Sequence, residues 1–384
     1  MWRHIASNAL TMLIVAIFLL GGLILWGQTE YSAEGPLEEQ ICLRVERGSN
    51  VSRVSKTLED QGAITSGMLL RVGMDYADLT GDLKAGSYLV PAKSTMKDIA
   101  DIITRGGAST CGTEIVYRIG VTQLSNLVRE LDPATSTYIE KAKFDPAAEE
   151  APAEYVDVRD RADTRFRIAV AEGVTSWQIV EGLKRISLLE GDISEVPAEG
   201  SLAPQSYEVK KGDKREELLA EMAERQDSIL AEAWENRVEG LPVNSPEEAL
   251  ILASLIEKET GVAEERRQVA SVFVNRLRLG MKLQTDPAVI YGITLGQGVL
   301  GRGLRRSELR AATPYNTYVI DALTPTPIAN PGRASIEAAL DPDSTDYIFF
   351  VADGTGGHAF AVTLAEHNAN VARWRQIEAE RAAD

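Results

Sequence analysis

Histidine and cysteine are scarce in this chain, with three of the first and two of the second among 384 residues. With His4 ahead of an apolar run and His358 and His367 near the C-terminus, they do not make a convincing zinc site. No phosphate-cradling glycine loop and no local Ser/His/Asp signature is found either. The sequence therefore predicts chemistry that needs neither a metal nor an organic cofactor. Basic residues are outnumbered, 40 Lys and Arg against 57 Asp and Glu, for a formal charge of −17. That balance argues against nucleic acid as a partner, because counterion-release binding needs clustered cations. Long hydrophobic runs are also absent, with a single exception.

The exception is residues 9–27, which carry no charge. At 1.5 Å rise per residue this run crosses most of a hydrocarbon layer of about 30 Å. A cleaved signal peptide is the alternative. Against it, the run exceeds the usual apolar segment of roughly 7 to 15 residues, and Gln28-Thr29-Glu30-Tyr31 offers no small-x-small cleavage site. Arg3 precedes the run, and Glu30, Glu34, Glu38 and Glu39 follow it. The positive-inside tendency makes 1–8 a cytoplasmic stub and sends everything after the span outside. Cys42 and Cys111 bracket the first folded segment, and an oxidising compartment would permit a disulfide between them without requiring one. The remaining composition, 44% hydrophobic and 25% charged, fits a folded chain of roughly two or three domains.

From residue 41 a unit recurs: a short β-branched run, a turn, a Ser/Thr cap and an amphipathic helix. Residues 43–49 lead into a helix through Val54 and Leu58, and 86–90 lead into one through Ile99, Ile102 and Ile103. Together they predict a small α+β module over 41–110. Similar strand-to-helix turns are expected at 117–122 and at 166–175, from duplication or from a commonplace unit. Residues 111–240 form an intermediate α+β region. Within it 132–164, rich in Ala, Pro, Asp and Glu, is expected to be a solvated insertion or flexible joint. Residues 214–237 read as an amphipathic helix.

The most informative stretch is SPEEALILASLIEKETG, residues 245–261. Ser245 is a good N-cap, Pro246 suits the first helical position, Glu248 completes a capping box and Gly261 offers a left-handed stop. On a 3.6-residue period Leu252, Leu255, Ile256 and Glu259 share a stripe, so Glu259 faces the core while Glu257 points to solvent beside Lys258. A carboxyl held among apolar groups keeps its proton toward neutral pH, as a general acid requires. The alternative is a helix-end Glu that turns outward or pairs with an arginine such as Arg276. A second helix spans roughly 264–279. Beyond it Gln284, Thr285, Asp286, Tyr291, Tyr315, Asn316, Thr317 and Tyr318 are a set suited to stacking on and hydrogen-bonding sugars. Residues 324–332 are a rigid Pro-rich loop, 347–362 a hairpin, and a closing helix starts near Leu364.

In order along the chain, ASLIEKETG, VASVFVNRLRLGMKLQTDPAVIYG, TPYNTY, PIANPG and FFVADGTGGHAF resemble the YceG-like endolytic murein transglycosylases of bacterial inner membranes. The resemblance is strongest over 250–367. It implies an α+β protein with a transmembrane helix, a LysM-like module (41–110) and a mixed α/β catalytic region (241–384) with a helical core and a C-terminal β-hairpin. It implies Glu259 as the catalytic acid, and Gln284, Asp286, Tyr291, Asn316, Tyr318 and His358 as sugar-binding or cleft-shaping positions. The implied substrate is the peptidoglycan glycan strand, cut between N-acetylmuramic acid and N-acetylglucosamine to leave a 1,6-anhydro end. The implied place is the periplasmic side of the inner membrane, with cell-wall synthases or division proteins as partners. Gln205 stands where the family usually has an acid. A non-catalytic peptidoglycan-binding scaffold is the competing expectation.

Overall fold

The computed structural model describes residues 2–107 and 109–381, with side chains from residue 8 onward. The side chains of Arg3 and His4, in the expected stub, lie outside the described residues. The chain is a mixed α+β protein that opens on one long helix, α1 (Trp2–Ser32). Its segment Asn8–Ser32 is long and apolar enough to cross a membrane, and its Leu, Ile and Phe side chains are exposed. Two compact units follow from the packing. One comprises Met1–Val116, Leu127–Phe144 and Glu149–Phe166; the other comprises Tyr117–Asn126, Asp145–Ala148 and Arg167–Asp384.

In the first unit β1 (Ile41–Val45) leads into α2 (Val51–Asp60) and α3 (Gly67–Tyr76), then β2 (Gly86–Val90) leads into α4 (Met96–Arg105). Strands β1 and β2 pair antiparallel with Leu43 opposite Tyr88. Each helix starts on a polar cap: the side chains of Asn50, Ser66 and Thr95 accept from the amides of Arg53, Leu69 and Asp98. These bonds satisfy donors that the first helical turn leaves unpaired. Leu43, Val54, Leu58, Leu70, Met74, Ile99 and Ile103 close one core, each burial contributing about 1.5–3 kcal/mol against exposure. Cys42 and Cys111 are disulfide-bonded across 69 residues.

A five-stranded sheet is built from β3 (Thr113–Ile119), β4 (Leu124–Asp132), β5 (Thr137–Phe144), β6 (Arg165–Val170) and β7 (Ser206–Val209), with α5 (Ala153–Val156) and α6 (Ser176–Arg185) between strands. The order is β5-β4-β3-β6-β7. Two expectations are corrected here. Residues 132–164 are not one solvated loop, because Thr137–Phe144 is the edge strand. Its alternating charges, which read as solvation, are what an edge strand needs on its open side. Only Tyr138, Ala142 and Phe144 turn inward, and Arg129 lies 4.1 Å over the Tyr138 ring. Residues 117–122 lead into no helix: the Gly120 amide bonds the Gln123 carbonyl, and the chain turns straight into β4. The matching turn after β6 does open a helix, because Thr175 and Gln178 form a full capping box there, whereas three residues after Thr122 stands Ser125, too short to reach back in the same way.

The second unit is mainly helical: α7 (Arg215–Glu235), α8 (Pro246–Glu259), α9 (Arg266–Arg278), α10 (Asp286–Thr294) and α11 (Arg333–Leu340), then β8 (Phe349–Ala352) paired antiparallel to β9 (His358–Ala361), and α12 (Leu364–Arg381). Helix α8 is its centre, packed by α11, α9, α7 and α10. Ser245 caps it by accepting from the Glu248 amide, while the Glu248 carboxylate takes the Asn244 amide, one residue earlier than a standard capping box. Its stop is also different from expectation. Thr260 leaves the helix in an extended conformation (φ −138°, ψ 133°), and Gly261 is not left-handed.

Replacing Cys42 and Cys111 by Ala removes the covalent closure of a long loop, worth about 4 kcal/mol in the chain-entropy account. The expected result is hydrogen-exchange protection lost across 41–110 while α8 and α9 keep theirs. Unchanged protection in the module would refute it.

Candidate active site

Glu259 is the last residue of α8, one turn beyond the fully buried Leu255 and Ile256. At a helix C-terminus the partial negative charge of unpaired carbonyls opposes a carboxylate. The dominant effect is larger. Desolvation raises the Glu259 pKa to about 7, with Asp286 pushing it further up and Thr285 and Arg276 pulling it down. The residue nonetheless keeps partial solvent access, so its surroundings are dense but reachable. Glu259 neither turns outward nor gains a neutralising partner in Arg276. That guanidinium, itself buried, donates to the carbonyls of Ile348 (2.7 Å) and Leu283 (2.6 Å) and acts on Glu259 from a distance.

The N-terminus of α10 faces the same place. Thr285 is its N-cap, and its side chain lies near enough to Glu259 to hold that carboxyl's pKa down. Thr285 is fixed in turn by Thr317, whose Oγ1 accepts from the Thr285 amide (2.9 Å) and donates to its carbonyl (3.1 Å). Gln284 enters this turn with φ 51° and its amide on the Thr317 carbonyl, and its side chain is exposed. Asp286 is not a free turn-former but the first helical residue, where the positive end of the dipole favours a carboxylate. It accepts from Tyr318 Oη at 2.7 Å. Burial, then this bond, raise the Tyr318 pKa, and Glu259 adds to the shift.

The triplet Glu257-Lys258-Glu259 points to three destinations. Glu257 was expected in solvent; instead its Oε2 accepts the Gly332 amide at 3.0 Å, at the start of α11. The reason is that α8 is enclosed on more than one side, so the face shared with Ala253 and Ser254 is buried as well. Lys258 Nζ donates to the Gly173 carbonyl at 3.2 Å, and burial lowers its pKa.

Beside the site runs a groove. Lys258, Pro287, Ile290, Tyr291, Thr294 and Val299 line a cavity of about 280 Å³. It continues through Val121, Gln178, Gly298 and Val299 into a second hollow of about 360 Å³. A larger cavity, about 390 Å³, lies among α7, α9 and α11, where Arg267 and Arg333 are paired with Asp341 and Glu232. Glu259 lines none of these three cavities, but its neighbour Lys258 and Pro287 at the start of α10 line the first, so volume alone does not locate the chemistry.

Tyr291 stands in the groove with its ring edge-on to Tyr315 at 5.0 Å and its hydroxyl donating to Glu199 Oε2 at 3.2 Å. Glu199 went unassigned at the sequence level. Its Oε1 accepts the Ser176 amide (2.8 Å) and the Asn330 Nδ2 (3.3 Å). Burial raises the Glu199 pKa against those bonds. Asn330 is fully buried and also joins Val174, Ser176 and Leu202. Gln205 lies apart from this cluster, with its side chain on Arg225 at 3.4 Å. Asn316 is fully buried, its amide nitrogen on the carbonyls of Glu308 and Ala311 and its oxygen on the Tyr318 amide. His358 binds Glu265 through Nδ1 at 2.8 Å. Structure thus gathers Glu259, Thr285, Asp286 and Tyr318, links Tyr291 to Glu199 and Asn316 to the Tyr318 backbone, and sends His358 to Glu265.

The YceG-like family matches over residues 43–373. An endolytic murein transglycosylase of Bacillus subtilis (strain 168) is 28% identical over 351 residues, 91% of this chain and 89% of the relative. One of Streptococcus pneumoniae (serotype 2, strain D39) is 27% identical over 383 residues, and the match spans 96% of this chain but 65% of that protein. A crystal structure of a YceG-like protein from Listeria monocytogenes shares 25% identity over 86% of this chain and 99% of that one, with a TM-score of 0.45. The match over most of its length places the chain in the YceG-like family.

Proposed function

We propose that this chain is a lytic transglycosylase of peptidoglycan, with Glu259 as its single acid and base. The observation that carries this is the desolvated Glu259 carboxyl, protonated up to about pH 7 yet reachable from solvent and flanked in sequence by groove residue Lys258. Protonated Glu259 gives its proton to the glycosidic oxygen as the oxocarbenium-like state develops. The resulting carboxylate takes the proton of the muramic C6 hydroxyl, whose oxygen bonds C1 and closes a 1,6-anhydro ring. No water is consumed, and the acid is restored.

Such a route needs no second carboxylate, whereas hydrolytic glycosidases use a pair. Asp286 serves to hold Tyr318, and with it the wall facing Glu259. Gln284 and Tyr291 offer an amide and an aromatic face to the sugars, while Asn316 and His358 shape the loops around them. The apolar helix α1 anchors the chain once in the inner membrane with the catalytic unit on the periplasmic side, and the 41–110 module is LysM-like. The names of the relatives and the order of motifs support these assignments. A scaffold that binds glycan without cutting it is the competing reading.

Four outcomes separate these readings. Glu259→Gln is expected to lose cleavage by 10²-fold or more, in line with general acid–base catalysis, while retaining glycan binding in a sedimentation assay. Wild-type cellular function in that variant would favour the scaffold. Mass spectrometry of digested glycan should show ends lighter by one water than reducing ends; reducing ends alone would indicate a hydrolase. The pH profile follows from the proton. kcat/KM should fall as pH rises through about 7, the Glu259 value, and a flat profile there would count against the assignment. Stability has the same origin: with the pKa raised from 4.5 to about 7, the folded state holds a proton the unfolded state releases, so stability falls as pH rises between those values. Glu259→Gln should abolish that slope and stabilise the protein above pH 7, by up to about 3 kcal/mol on the conversion of pKa shift to free energy.

Glu199→Ala tests the wall of the groove. Loss of the Tyr291 tether should raise KM about tenfold, the scale of a net hydrogen bond, with a smaller change in kcat and partial rescue by Glu199→Gln. Equal losses in kcat would place Glu199 in the chemistry instead.

A further inference from the structure

Helix α3 presents an apolar stripe to solvent. Met68, Val72 and Tyr76, spaced at four residues, are 67%, 56% and 88% exposed. The opposite side of the helix is in the core through Leu70 and Met74, and a third side lies on α1. There a Cβ built on Gly27 would come 3.6 Å from Leu69 Cδ2, and the Tyr31 ring is seated on Gly73. The register is four residues on each helix, Gly27 to Tyr31 against Leu69 to Gly73. The two helices therefore run side by side in the same direction, with the start of α3 level with Gly27.

Gly27 is the last residue of the apolar run that begins at Ala9. At 1.5 Å per residue the run measures roughly the thickness of the hydrocarbon layer. The first turn of α3 consequently lies at the outer hydrocarbon boundary, with Met68 at that depth. Val72 follows about one turn farther out and Tyr76 about two, in the layer where amphipathic aromatics collect. The first turn of α3 carries no charge of its own, although the Glu59 carboxylate lies beside Gly67; Arg71 is exposed one turn on, on a stem long enough to reach headgroups, and Asp75 and Asp78 lie at the far end of α3 and just beyond it. Trp26, itself 55% exposed, marks the same boundary on α1.

We propose that the start of α3 is inserted in the outer lipid interface, so that the 41–110 module rests on the bilayer instead of swinging on a tether. Met68 and Val72 are in the acyl–headgroup boundary, and Tyr76 is at headgroup level. This rests on reading α1 as a membrane span.

The test uses the full-length chain in proteoliposomes. Because Cys42 and Cys111 are joined, Met68→Cys and Leu20→Cys each introduce a single free thiol, at exposed positions outside the core, for an environment-sensitive fluorophore. The label at position 20 should be quenched by deep-quencher lipids. The label at position 68 should be blue-shifted and quenched by shallow-quencher lipids, with little effect of aqueous iodide. Quenching at 20 but free access of iodide at 68 would overturn the docking while leaving the anchor intact. No lipid quenching at either site would remove the anchor and the docking together. Shielding of position 68 from both lipid and iodide would mean that a second copy covers α3, and would also overturn the lipid assignment.

Discussion

A carboxylic acid at the end of a helix, short of water, sets the terms for the whole second unit. Ionising Glu259 costs free energy because its neighbours cannot solvate the charge and the helix terminus opposes it. That situation survives only if the cation that acts on it, Arg276, is kept occupied. Arg276 is buried too, yet its guanidinium is committed to the carbonyls of Ile348 and Leu283. The segment leading into the β8–β9 hairpin and the loop before α10 thus have an electrostatic duty: they hold the cation close enough to limit the shift and too engaged to close an ion pair. Asp286 balances it from the other side, turned toward Tyr318 at the favourable end of α10.

The rest of the polar interior fixes loops that have little apolar material of their own. Asn330 reaches Val174, Ser176, Leu202 and Glu199 from a fully buried position. Gln226 adds bonds from α7 to the carbonyls of Gly200 and Pro331, and Ser254 on α8 takes the Ile328 amide. A network with this many partners specifies one arrangement of its loops, because each missing bond would leave a buried group unpaid. Tyr291 inherits that rigidity through Glu199. The groove wall is therefore as firmly placed as the helix that carries the acid.

What could be read from the sequence was what depends on local chemistry. The caps of α4, α6 and α8 follow from Thr and Ser at their first positions, while α2 is capped by Asn50, one residue past the expected Ser, and the inward stripe of α8 turns Glu259 toward the core side. Glu257 was misread because a one-sided periodicity assumes one buried face, and α8 has several. Strand β5 was hidden by its charges, which reflect its place at the sheet edge and not a lack of structure. Glu199 and Asn330 could not be found by spacing at all, since their partners lie far away in sequence and only folding brings them together, whereas Arg276 was named as an ion-pair partner for Glu259 and turns instead to backbone carbonyls.

The bridge between Cys42 and Cys111 spans nearly all of the first module, from the second residue of β1 to the approach to β3. A pull applied to the backbone on either side of that pair travels through the sulfur atoms and bypasses the residues in between. Under mechanical load applied across the pair, this domain carries no tension along its strands. It cannot lengthen by unravelling while the bridge holds.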